Sequence, residues 1–414
     1  MQGAGLRIGT DSRFHPRCSR YIAEPMTVIT ESDALASFCA RQAGASFVAV
    51  DTEFMRERTY WPILCLVQIA GPEEAVAVDA LAPGIDLTPL LELMAERNIL
   101  KVFHAARQDV EIFFNLSGMV PAPLFDTQIA AMVCGFGDAA SYETLVAKLA
   151  QASLDKSSRF TDWSHRPLSE RQIHYALADV VHLRTVYERL QQRLASNVRT
   201  TWFAEEMAGL SDPSTYRNDP HDAWQRFRLR GRTDPRFFTV LRELAAWREI
   251  AAQQRNLPRG RIMRDGAVLE IAAHSPKTID ALARTRSLGK GIAEGKLGNE
   301  ILDAVRRGLA DTKGPAPPTR VDVPHGLGPL VELLRVLLKQ RCEEHQVAQK
   351  LVATGEDLEA VAADDDAPVP ALSGWRYEIF GKDALALKHG RLAMTVLRNR
   401  ISLVELRAGD LRQT

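Results

Sequence analysis

The run Phe47-Val-Ala-Val-Asp51-Thr-Glu53-Phe54 constrains the fold of this 414-residue chain more than any other stretch. Phe47–Val50 is apolar on both faces, which reads as a central strand covered from both sides. Residues two apart in a strand share a face. Asp51 and Glu53 therefore project together, and Val50 and Thr52 project the other way. Two carboxylates at the end of a buried strand repel each other and are costly without a cation. Taken alone, Asp-x-Glu has a plainer reading, in which the strand has ended and the acids sit in water.

The surroundings favour a covered sheet. Residues 26–205 alternate strand-like and helical patterns. Thr27–Thr30, Ser46–Phe54, Ile63–Ala70, Glu74–Asp79 and Leu100–Phe103 read as strands. The three consecutive runs between residues 46 and 79 predict antiparallel neighbours. Helical spacing marks Glu31–Ala43, Leu87–Arg97, Arg107–Leu116, Asp126–Cys134, Ser141–Gln151 and Ser169–Leu194. Ser169 offers an N-cap with Gln172 three residues on. The sum is a mixed sheet with helices on both faces.

After about residue 210 the strand signal stops. Phe237–Leu309 is helical, broken at Leu257-Pro-Arg-Gly, His274-Ser-Pro-Lys and Ser287-Leu-Gly-Lys-Gly. A proline-rich linker follows at Lys313-Gly-Pro-Ala-Pro-Pro-Thr, and then a second mostly helical block to about residue 409. Ile262–Glu270 aligns with Leu351–Glu359 at an offset of 89, so the two blocks read as a divergent repeat. The expected organisation is a leader at 1–25, an α/β domain at 26–210, a helical domain at 211–312, the linker at 313–328 and a second helical domain at 329–414. The leader has no apolar block and is not a signal peptide. It is expected to be poorly ordered, with Met26 as a possible start of translation.

Net charge gives no hint of a polyanion partner, because 52 basic residues balance 52 acidic ones. The distribution is less even. Residues 217–263 hold eleven arginines, no lysine and five acids. That stretch reads either as a nucleic-acid footprint or as a solvated helical face. Five scattered cysteines without a Cys-x-x-Cys pair argue against a disulfide framework and a structural zinc, and fit a reducing cytoplasm. No apolar run is long enough to span a bilayer.

Two further segments carry acids. Asp109 falls in the first turn of the helix after Leu100–Phe103, where the helix dipole alone would favour it. Asp126 has the same ordinary explanation as an N-cap. Tyr175 and Asp179 lie four apart, on a common flank of the helix beginning at Ser169. Carboxylates at strand ends and on helix flanks can assemble hard oxygen ligands for magnesium or manganese. Two such ions can clamp a phosphodiester under attack by water.

As a set, Val50-Asp-Thr-Glu-Phe54, His104-Ala-Ala-Arg-Gln-Asp109 and Asp162-Trp-Ser-His-Arg-Pro-Leu-Ser169 through Tyr175-Ala-Leu-Ala-Asp179 resemble the tyrosine branch of the DEDD exonuclease superfamily. Within it, they look like the bacterial ribonuclease D family. The stretch from Phe238-Thr-Val-Leu-Arg-Glu-Leu to Leu288-Gly-Lys-Gly is similar to an HRDC domain, and the last block to a divergent second copy that lacks the Pro-Arg-Gly turn. The resemblance implies a ribonuclease H-like exonuclease domain followed by two helical HRDC-like domains. It implies removal of nucleoside 5′-monophosphates from RNA 3′ ends, with tRNA precursors and small structured RNAs as substrates and no obligatory protein partner. It also implies two divalent ions. Asp51 would bridge them, Glu53 and Asp179 would complete the first site, Asp109 would hold the second, and Tyr175 would position the attacking water. Phe54, Met55, His104, Gln108, Trp163 and Arg166 are candidates for contact with the terminal nucleotide. A DNA exonuclease of the same superfamily and a non-catalytic RNA-binding protein are the competing readings.

Overall fold

The computed structural model describes residues 27–155, 161–227, 234–311 and 326–406. The leader, Met26 and most of the proline-rich linker lie outside these residues. The first domain holds a six-stranded sheet in the order β1-β4-β3-β2-β5-β6. Its strands are β1 (Thr27–Ile29), β2 (Phe47–Met55), β3 (Ile63–Ala70), β4 (Ala75–Asp79), β5 (Leu100–Phe103) and β6 (Leu124–Asp126). As expected, β2–β3 and β3–β4 are antiparallel, while β2 pairs with β5 in parallel. The short β6 escapes sequence reading because three residues show no periodicity.

Period two decides what each face of β2 meets. Val48 and Val50 pack with Leu35, Phe38, Val110 and Phe113. These come from α1 (Ser32–Arg41) and α3 (Arg107–Ser117); α2 (Thr88–Ala95) covers the same side. Phe47 and Ala49 pack instead with Val180, Leu183 and Tyr187. Near that second face lie α4 (Thr127–Val133), α5 (Tyr142–Leu145), α6 (Glu170–Ser196) and α7 (Thr200–Ser211). The long α6 starts where the sequence places it: Ser169 and Gln172 form a reciprocal capping box.

The next block packs α8 (Pro235–Arg255) against α9 (Arg259–Ile262), α10 (Asp265–His274), α11 (Ile279–Ala283), α12 (Lys290–Ala293) and α13 (Lys296–Ala310). The last block contains α14 (Gly328–His345), α15 (Gln349–Val352), α16 (Gly355–Ala363), α17 (Gly374–Arg376) and α18 (Lys382–Lys388). The two blocks share a local pattern. α8 ends on Asn256 and α14 on Gln346, both left-handed, and each is followed by a four-residue helix. These features repeat at an offset of 90 (346 minus 256), one more than the sequence alignment gives.

The last block is not helical to residue 409. Beyond Lys388 it forms an antiparallel hairpin of β7 (Leu392–Leu397) and β8 (Arg400–Glu405). Arg398 and Asn399 make its two-residue turn, both at positive φ (50° and 61°). That is the twist two-residue hairpin turns need.

Both helical blocks are tied to the first domain. Asn256 accepts from the backbone N–H groups of Tyr60 and Trp61, and the Tyr60 hydroxyl donates to Glu249. On the other side Trp202 of α7 stacks on Trp375 at 4.5 Å. Arg199 donates to the last carbonyls of α14, and Arg376 pairs with Glu206. Among the described residues no helix is long and apolar enough to cross a membrane.

Candidate active site

Because Asp51 and Glu53 have the parity of Phe47 and Ala49, they leave β2 on the α6 side. There they meet Asp179. One carboxylate oxygen from each of Asp51, Glu53 and Asp179 lies within 4.8 Å of the others. The ladder slips between Glu53 and Phe54, a bulge that bends the strand just where the acids end.

Crowding these acids has a clear electrostatic consequence. Burial first, and then Asp179, push the Asp51 carboxyl up to about 8. Glu53 rises to about 9, again from burial first and then from Asp51, Asp179 and Asp109. Without a cation the cluster holds protons at neutral pH; a hard divalent ion would replace them. The donor set is all carboxylate oxygen, which suits magnesium or manganese and does not suit a soft metal.

Asp109 arrives from the other side of the sheet. It sits in the first turn of α3, buried, and accepts from the hydroxyl of Thr52. Its carboxyl is raised well above the ordinary range by burial and next by Asp51. It is thus beside the cluster, but held by Thr52 rather than gathered with the other three. Thr52 has no place in the sequence reading beyond facing away from Asp51. Facing away is what brings it to Asp109.

The turn leading into α3 is built by Asp126. As the N-cap of α4, Asp126 accepts from Gln128 and Ile129, and it also accepts from the backbone N–H groups of Ala105 and Ala106. Ala105 is left-handed (φ 56°), a conformation that needs such support in a residue with a Cβ. The turn fixes His104. The Thr127 hydroxyl donates to the Phe103 carbonyl, so His104 Nδ1, 3.0 Å from that hydroxyl, must carry its own proton. Nε2 is left as an acceptor. Burial lowers the His104 pKa to about 4, so the ring is neutral.

A cleft of about 290 Å³ opens beside the cluster. Asp51, Asp179, Tyr175, His104 and Tyr142 line it. Tyr142 is the main residue that sequence reasoning missed. Ser141 caps α5 and puts Tyr142 in its first turn; the phenol donates to the Asp179 backbone carbonyl, and its ring lies 5.4 Å from that of His104. Nothing in the local sequence marks this tyrosine, because its partner is 37 residues away.

The weaker nucleotide-contact candidates separate. Trp163 does not line the cleft: it is 3% exposed, packed with Cys65, Leu66 and Leu177 and lying 6.1 Å from the Tyr175 ring. Arg166 has no donor to offer a phosphate. It grips both oxygens of Asp79 at 2.7 Å and the carbonyls of Cys65, Trp163 and His165, which takes up its five N–H groups. Phe54 and Met55 are half-buried, against the α3-side core and the Trp163 cluster respectively. Gln108 is exposed on α3.

A family model for a 3′-5′ exonuclease matches residues 26–195, and one for the HRDC domain matches residues 237–305. The chain is 52% identical to ribonuclease D of Gluconacetobacter diazotrophicus, over 91% of this chain and 96% of that protein. It is 50% identical to ribonuclease D of Nitrobacter hamburgensis, over 92% of this chain and all of that protein. Among solved structures, Escherichia coli RNase D, an exoribonuclease involved in structured RNA processing, superposes with a TM-score of 0.76 at 28% identity, covering 89% of this chain and 99% of that one.

Proposed function

Since the chain belongs to the ribonuclease D family and is a 3′→5′ exoribonuclease, we propose that it trims the 3′ ends of tRNA precursors and other small structured RNAs in the cytoplasm, using two divalent ions, magnesium or manganese. The observation that carries this reading is the convergence of Asp51, Glu53 and Asp179 within 4.8 Å, beside a cleft that Asp51 and Asp179 line. The four described cysteines are buried free thiols, as suits a reducing compartment.

Asp51, whose charge acts on both Glu53 and Asp109, would be shared by the two ions. Glu53 and Asp179 would complete the first site. Asp109 would hold the second, directly or through water, on releasing the Thr52 hydroxyl. Bound ions would supply an easily ionised water and neutralise charge on the attacking and leaving oxygens. Tyr175, one turn before Asp179, would orient that water through its hydroxyl. His104, neutral and fixed by Thr127, would present Nε2 as an acceptor to the terminal nucleotide. Residues 211–312 and 329–414 would be a first HRDC domain and a divergent second copy.

The test is a tRNA precursor carrying label at its 3′ end, incubated with wild type and Asp51→Asn under magnesium, manganese or chelator, beside a matched DNA oligonucleotide. Stepwise release of labelled mononucleotide by wild type alone, abolished by chelator, is the expected result. Equal activity of Asp51→Asn would refute its role. Degradation of the DNA alone would move the substrate to the other nucleic acid.

A further inference from the structure

The seam between the sheet domain and the first helical block holds a second cavity, of about 200 Å³, with an almost wholly polar lining. Four arginines face it: Arg56 beyond the end of β2, Arg107 on α3, Arg226, and Arg259 at the start of α9. Two are already paired. Arg56 meets Glu111 at 3.1 Å, and Arg259 lies in a two-point pair with buried Glu249 at 2.5 Å while its guanidinium stacks over Tyr60 at 4.7 Å. The other two make no direct ion pair with a carboxylate among the described residues, although Arg226 lies near enough to Glu249 to help hold its pKa down. Arg226 donates only to the Asn218 amide, at 2.8 Å. Four cations against two carboxylates leave a local excess of two positive charges in a walled polar recess.

Such a recess, with forked donors arriving from separate elements, suits a tetrahedral oxyanion. Its position narrows the ligand. Asp109 occupies the inner side of α3, and Arg107, two residues earlier, points to roughly the opposite side. The cavity therefore lies about one helix diameter (roughly 10 Å) from the acidic cluster. The cleft lined by His104, Tyr142 and Tyr175 is on the α6 side of that cluster, and the arginine recess is beyond it.

We propose that this recess binds a backbone phosphate of the RNA, upstream of the scissile bond, so that the strand is held on both sides of the cluster. This rests on the exoribonuclease reading above and adds a specificity element to it, because a dinucleotide is too short to occupy both places. Arg107 and Arg226 make the contact; Arg56 and Arg259, already paired, shape the wall, and Arg259 also joins the domains by donating to the Tyr60 hydroxyl.

The experiment compares wild type with Arg107→Gln/Arg226→Gln on an RNA oligonucleotide of about a dozen nucleotides and on an RNA dinucleotide. The ratio of kcat/KM for the long over the short substrate is expected to fall about tenfold in the variant, with the change in KM. The slope of log KM against log salt for the long RNA is expected to flatten by about 1. An unchanged ratio and slope would overturn the proposal. Both side chains are exposed and outside the core, and an unchanged thermal midpoint confirms folding; a single Arg107→Glu variant, expected to move the same ratio, serves should the double variant unfold. If wild type degrades neither RNA, the exoribonuclease reading fails instead. Inorganic phosphate separates the two sources of this chemistry. Should phosphate raise the thermal midpoint of wild type and not of the variant while the long-to-short ratio is unchanged, the recess takes free anion and the RNA assignment is wrong.

Discussion

Removing the cation should make this protein less stable as pH rises, and the structure sets the size of the effect. Asp51 goes from 3.8 to about 8 and Glu53 from 4.5 to about 9 on folding, both chiefly through burial. Well below pH 3.8 the carboxyls are protonated in both states and the fold bears no penalty. Between pH 4 and 8 the unfolded chain releases these protons while the cation-free fold keeps them. The folded state then binds more protons, and stability falls with pH. Asp51 alone spans three units between pH 5 and 8, at about 1.4 kcal/mol each, or about 4 kcal/mol. Ligands must be deprotonated to bind metal, so magnesium should stabilise more at pH 8 than at pH 5. Melting wild type and Asp51→Asn in chelator at both pH values isolates the term, since Asn cannot titrate. Wild type should lose roughly 10 °C more than the variant over that interval. Magnesium should restore most of the loss in wild type only. Parallel pH profiles for the two proteins, or a magnesium effect independent of pH, would mean that the cluster is solvated and does not need a cation.

Three further outcomes test neighbouring parts. Tyr175→Phe should slow single-turnover cleavage about 100-fold and leave magnesium affinity, measured by titration calorimetry, within about twofold of wild type; a matching loss of affinity would make the phenol a ligand. Asp126→Ala should cost about 3 kcal/mol in urea unfolding, because it removes the cap of α4 and the acceptor that holds Ala105 left-handed. A cost under about 1 kcal/mol would show that the turn supports itself. Asp79→Asn should cost about 3 kcal/mol by removing the negative partner of the Arg166 guanidinium and one of its five acceptors, and Asp79→Leu/Arg166→Met should recover part of it; no recovery would mean that the carbonyl contacts, not the ion pair, anchor Arg166.

What the sequence shows and what it hides differ by the range of the interaction. Period two along β2 already puts Asp51 and Glu53 on one face, and the spacing of four on α6 puts Tyr175 with Asp179. Both are local, and both survive in the structure. The capping box at Ser169 is local too. The side from which a residue approaches is not local. Asp109 reads as an acid in a helical first turn, whichever face of the sheet its helix covers. Its bond to Thr52 is set by the packing of α3 against Val48 and Val50. Tyr142 is silent for the same reason, since its partner is a backbone carbonyl on another helix.

Trp163 and Arg166 mislead in the opposite direction. An aromatic and an arginine before the last helix look like a nucleotide-binding pair, because sequence cannot show that Asp79, 87 residues earlier, has taken the guanidinium. Arginines differ in function here by what already neutralises them, and that sorts the candidates better than their position in a motif does. Arg166 is saturated and structural, and Arg259 is paired and bridges two domains. Arg107 and Arg226 make no direct ion pair with a carboxylate among the described residues, and they face a walled recess. Of these four, the last two retain charge for a polyanion: Arg107 inside the His104–Asp109 motif, two residues before its acid, and Arg226 outside every acidic motif.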